Sequence, residues 1–104
     1  MLSERSLHIL RKMVAAEAAE DYEGAEIVCS GIICYLDEER ISRRTVDNLL
    51  RHVAVKSGSE PGELERYRVS GTGRAIAGDP AVADKVLACV LRGIPCDEQG
   101  NPIS

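Results

Sequence analysis

The sequence predicts a small, mostly α domain that carries one β-hairpin. Three observations lead there. The 104 residues contain no Phe, no Trp and only three Tyr, so the core must be aliphatic, which suits packed helices better than a large β-sandwich. Apolar residues recur at three- and four-residue spacing in several stretches separated by polar turns. Residues 53–70, by contrast, read as two strands around a turn. A chain of this length makes one domain, and its 44% apolar content is enough for it to fold unaided.

Residues 3–21 read as the first helix. Ser3 is a suitable N-cap, and Glu4 places negative charge in the first turn, where the helix dipole favours it. Leu7, Leu10, Val14 and Ala18 form the apolar stripe, widened by Ile9 and Met13. Ala15, Ala16, Ala18 and Ala19 are strong helix formers. The acids Glu17, Glu20, Asp21 and Glu23 oppose the dipole at the far end, so the helix should stop near Gly24.

Residues 24–39, GAEIVCSGIICYLDEE, admit two readings. Val28, Ile32, Tyr35 and Leu36 fit one face of a helix. The β-branched Ile27, Val28, Ile32 and Ile33 would also suit a strand. The length of the run and its lack of strict alternation favour the helix. Gly31 in its middle counts against it by about 1 kcal/mol relative to Ala.

The next helix is expected at about 42–52, with Ser42 as N-cap and Val46, Leu49, Leu50 and Val53 as a full amphipathic stripe. The short polar turn before it, Asp37–Ile41, is what a helix-turn-helix requires. A hairpin at about 53–70 follows. Val53–Lys56 is its first strand, Ser57–Gly62 a run of turn residues, and Leu64–Ser70 its second strand. Gly71–Ala77 opens another helical segment. Asp79 and Pro80 then start a last helix, in which Val82, Val86, Leu87, Val90 and Leu91 lead to Gly93. The domain is expected to span 1–93, with 94–104, rich in turn formers, as a flexible C-terminal tail.

The residues Tyr67-Arg68-Val69-Ser70-Gly71-Thr72-Gly73-Arg74 carry a resemblance. They are similar to the segment in which the wing returns into the next helix in bacterial and phage winged helix-turn-helix DNA-binding regulators. That segment reads tyrosine, any residue, aliphatic, Thr or Ser, two of any kind, Gly, then Arg or Lys. Ser42-Arg43-Arg44-Thr45-Val46-Asp47-Asn48-Leu49-Leu50 likewise resembles their recognition helices. The resemblance covers about residues 40–80. It implies a winged-helix fold with recognition helix 42–52 and wing 53–70. In that arrangement Tyr67 and Val69 pin the strand to the core, Ser70 caps the following turn, and Gly73 permits close packing.

Charge is unevenly distributed. The net charge of −4 divides into −6 over residues 1–39, +4 over 40–74 and −2 over 75–104. A local basic island still acts over about a Debye length of 8–10 Å. If the helix enters the major groove of double-stranded DNA, Arg43, Arg44 and Thr45 at its N-terminal end approach first. Arg44 can pair with guanine and Asn48 with adenine. Arg51, Lys56, Arg66 and Arg68 would meet phosphates. Opposing this, Asp47 can pair with Arg51, and Glu63 or Glu65 with the hairpin arginines, leaving a solvated face.

The expected function is that of a small sequence-specific transcriptional regulator. It is expected to act as a homodimer through the first and last helices, because one small acidic module offers few contacts. The alternative is a winged-helix interaction module of phage or mobile-element type that binds a host protein through its acidic helices.

Other chemistries find little support. Cys29 and Cys34 are five apart and Cys89 and Cys96 seven apart, so none forms a C-x₂-C zinc pair. Cys29, Cys34 and Cys89 read as buried small hydrophobes, and Cys96 as exposed in the tail. His8 and His52 lack catalytic neighbours, which leaves structural roles or, for His52, a phosphate contact. No nucleophile with a base, no phosphate loop and no cofactor motif is present, so no enzyme and no cofactor is expected. No run approaches the roughly 20 apolar residues of a membrane span, and the charged N-terminus is not a signal peptide. The expected location is the cytoplasm.

Overall fold

The computed structural model describes residues 2–58 and 64–103. In chain order these form α1 (Glu4–Ala18), β1 (Glu26–Ser30), β2 (Ile33–Leu36), β3 (Glu39–Ser42), α2 (Arg43–Arg51), β4 (Val55–Ser57), β5 (Glu65–Val69), α3 (Gly71–Gly78) and α4 (Ala81–Arg92). The strands make one antiparallel sheet in the order β3-β2-β1-β5-β4. The result is a mixed α/β fold in two layers.

This corrects the expected fold class. The chain is not mostly α with a small hairpin wing, because its sheet has five strands. The expected winged helix-turn-helix architecture fails at residues 24–39. There the structure has strands β1 and β2, with β3 beginning at Glu39, in place of a helix. The cause is a period of two. Ile27, Cys29, Cys34 and Leu36 are buried, while Ser30, Ile33 and Tyr35 point the other way and are exposed. Gly31 and Ile32 form a two-residue turn between Ser30 and Ile33, with Gly31 at φ +61. A glycine in that first turn position is a hairpin signal, and the penalty it would carry inside a helix does not arise. Asp37, at φ 53, opens the equally tight turn between Leu36 and Glu39.

The sheet buries one face only. Ile27, Cys29, Cys34, Leu36, Ile41, Tyr67 and Val69 join Ile9, Leu10 and Met13 of α1, Val46 and Leu49 of α2, Ile76 of α3, and Val82 and Val86 of α4. The helices therefore lie on this side. Glu39 on β3 receives Lys12 at 2.6 Å and Arg5 at 2.8 Å, tying the edge strand to α1. Those two hydrogen-bonded cations, Lys12 first, hold its carboxyl down at about 2.

Most element ends follow the sequence chemistry. Ser3, Ser42 and Ser70 accept hydrogen bonds from the amides of Ser6, Thr45 and Gly73 and so cap α1, α2 and α3. Asp79 accepts from the Ala81 amide at the start of α4, and Gly93, at φ 67, closes that helix. The expected hairpin is present as β4 and β5. Of the expected turn run Ser57–Gly62, residues 59–62 lie outside the described residues, as does Glu63. Residues 94–103 fold back, with Cys96 bridging to Pro102 and Gly100 set against Lys85 and Val86.

Val53 closes α2 in an unusual way. Its amide donates to Leu50 O and that of Ala54 to Leu49 O, at 3.0 and 2.9 Å. These are the paired bonds that usually place a glycine in the left-handed conformation. Here the residue is a β-branched valine at φ 58, and it is 42% exposed, so little burial offsets the strain. Val53→Gly should raise unfolding free energy by about 1 kcal/mol. A denaturant midpoint that falls would refute this account of the turn.

Candidate nucleic-acid interface

The eight residues expected to touch DNA divide between two surfaces and the interior. α2 packs inward through Thr45, Val46 and Leu49, and turns Arg44, Asp47 and Arg51 to solvent. An open concavity of about 750 Å³ runs along this face, lined by α2 together with Ser3 and Arg5. Arg44 and Arg51 are exposed and make no ion pair with the described residues. Seven residues apart, they stand on one face about 10 Å from each other along the axis.

Three neighbours on α2 have other work. Arg43 donates to Asp47 at 3.0 Å, to Glu65 at 2.8 Å and to Gly31 O at 3.3 Å. It clamps the start of α2 to the β1–β2 turn and to β5. The Glu65 hydrogen bond, above all, raises the Arg43 pKa, and Arg43 in turn holds Glu65 below the usual carboxylate range. Tyr67 O–H donates to the same carboxylate at 3.0 Å. Thr45 is buried, its hydroxyl 3.0 Å from that of Ser42. Asn48 accepts the Ser3 amide at 3.0 Å, fixing the entry to α1. Asp47 thus pairs with Arg43, and not with Arg51 as the i, i+4 spacing allowed.

Lys56, Arg66 and Arg68 lie on the uncovered face of the sheet. Arg66 and Arg68 both donate to Glu26 of β1, at 2.8 and 2.9 Å. Burial of Glu26 works against its ionisation, but the bonds from Arg68 and Arg66 outweigh it and lower its pKa. Lys56 is exposed and makes no ion pair with the described residues. Two residues of this face escaped the sequence reading. Arg40 and Tyr35 are direct partners across β2 and β3. Their symmetry about the Asp37–Glu38 turn was the signal available.

His52 is fully buried, with Nδ1 2.9 Å from Asn48 O, so it is a core residue and makes no phosphate contact. Cys29 and Cys34 face each other across β1 and β2, both buried, and burial first of all pushes the Cys29 thiol up to about 12. Cys89 is buried and Cys96 half-buried. Among the described residues there is no group of three or more side chains fit to hold a metal ion. No described helix is long and apolar enough to cross a membrane. Comparison with protein-family models, curated proteins and solved structures finds no match.

Proposed function

We propose that the protein is a small DNA-binding regulator that lays α2 in the major groove of double-stranded DNA. The observation that carries this reading is the Arg44 and Arg51 pair, exposed on one helix face and without carboxylate partners among the described residues. The face is rigidly presented. Leu49 and Val46 seat α2 in the core, Ser42 caps it, and the Arg43 clamp fixes its start. Arg44 at the N-terminal end meets base edges, and Arg51 meets the backbone. Arg43, Thr45 and Asn48 position the helix and do not read sequence. A homodimer would double the readout. α4 offers the surface for it, with Leu91 78% and Val90 49% exposed. A monomer mass at all concentrations in sedimentation equilibrium would remove that part of the proposal.

The test is retention of a duplex library at low salt. Arg44→Ala with Arg51→Ala should weaken binding at least tenfold, roughly the effect of one lost bidentate contact. The same change should flatten the slope of log affinity against log salt by about 2 if each arginine neutralises one phosphate, and by about 1 if Arg44 reads a base. The reading fails if the unmodified protein retains no duplex at about 50 mM salt.

A further inference from the structure

We infer that the uncovered face of the sheet is a second binding surface, one that takes single-stranded nucleic acid. The register sets Arg40, Tyr35, Val28 and Arg66 in one row across β3, β2, β1 and β5. The next row holds Glu26, Arg68 and Lys56. No described helix covers them, because the sheet's buried side chains and the helices share the other side. Among the described residues of this face, four cations stand against one carboxylate, a balance of +3 in a chain of net charge −4. Glu26 does not quench the patch. It holds the two β5 guanidiniums in place at 2.8 and 2.9 Å.

An aromatic platform lies among these cations. Tyr35 is 42% exposed, and the Arg40 guanidinium lies over its ring, 5.9 Å from the centroid. Ile33, 45% exposed, extends the apolar strip along β2. Rings and guanidinium planes are the surfaces on which unpaired bases stack, while flanking cations track the phosphates.

Shape decides between strands and duplexes. Five strands at about 4.8 Å spacing make a face about 19 Å across, too broad for a major groove about 12 Å wide. A second copy of the chain is disfavoured, because two faces of +3 would oppose each other. A peptide of Asp and Glu alone answers the charge but offers no aromatic ring to Tyr35. This inference stands independently of the duplex reading for α2.

The experiment is fluorescence anisotropy with labelled oligouridylate and oligothymidylate of about 15 nucleotides, beside a duplex of equal length. Tyr35→Ala should weaken single-strand binding roughly tenfold, with Tyr35→Phe restoring it and duplex binding unchanged. Arg44→Ala with Arg51→Ala should show the converse. Circular dichroism checks the fold, and if Tyr35→Ala does not fold, Arg40→Glu with Lys56→Glu must abolish single-strand binding. The inference is overturned by any of three results: no single-strand binding at about 50 mM salt, binding indifferent to Tyr35→Ala, or a polyglutamate peptide bound with the same Tyr35 dependence. A dimer that Tyr35→Ala dissociates would overturn it as well, assigning the face to a second copy.

Discussion

Replacing Gly73 by alanine should destabilise the domain by about 3 kcal/mol, although alanine is the better helix former by about 1 kcal/mol. Gly73 lies in the first turn of α3, its amide bonded to the capping Ser70 hydroxyl at 2.8 Å. A Cβ added there would stand 2.0 Å from Ala54 O. That oxygen cannot rotate away, because it is backbone and accepts the Ser70 amide at 3.1 Å. Ala54 is itself fully buried at the junction where α2 ends and β4 begins. Relieving the clash means moving α3 away from both. Gly78→Ala is the control. It sits at the last position of the same helix with nothing within 4 Å of an added Cβ, so it should be neutral or gain up to about 1 kcal/mol. Equal midpoints for the two variants in urea would sink the packing argument.

That glycine was legible in the sequence, and so was most of what surrounds it. Ser70 and Gly73 do what the Tyr67–Arg74 segment implied, and Tyr67 and Val69 are buried as expected. The caps Ser3 and Ser42, and the helix start at Asp79–Pro80, were readable because each depends on residues three or fewer positions away. The pairing of β5 with β1, nearly 40 residues apart in sequence, was not readable, because no local signal specifies a partner strand. The candidate site divides the same way. Local helical spacing put Arg44 and Arg51 on one outward face. It could not show that Arg43 answers Glu65, 22 positions on, or that Asn48 answers Ser3, 45 positions back. Both residues had the right chemistry for DNA and were engaged by distant parts of the chain.

The opposite fates of Ile27 and Ile32 test why residues 24–39 were misread. On the helical reading Ile32 lies on the buried stripe with Val28, Tyr35 and Leu36. In the sheet Ile32 is 76% exposed at the β1–β2 turn, and Ile27 is fully buried in the central strand. Ile27→Ala should therefore cost about 3–4 kcal/mol, from lost transfer energy and the cavity left behind. Ile32→Ala should stay within about 0.5 kcal/mol, as exposed substitutions do. Urea denaturation of the two variants settles it, and a larger loss at Ile32 would restore the helix. The alternation that marks a half-buried strand was hidden because the outward positions, Val28, Ile33 and Tyr35, are apolar too. In an ordinary two-layer domain those positions would be polar, and the period of two would have been plain. The pattern was obscured by the same apolar side chains that, flanked by Arg40, Arg66 and Arg68, give the open face its platform. The misreading of residues 24–39 and the proposed single-strand surface therefore share one cause, an apolar strip on β1 and β2 that faces away from the core.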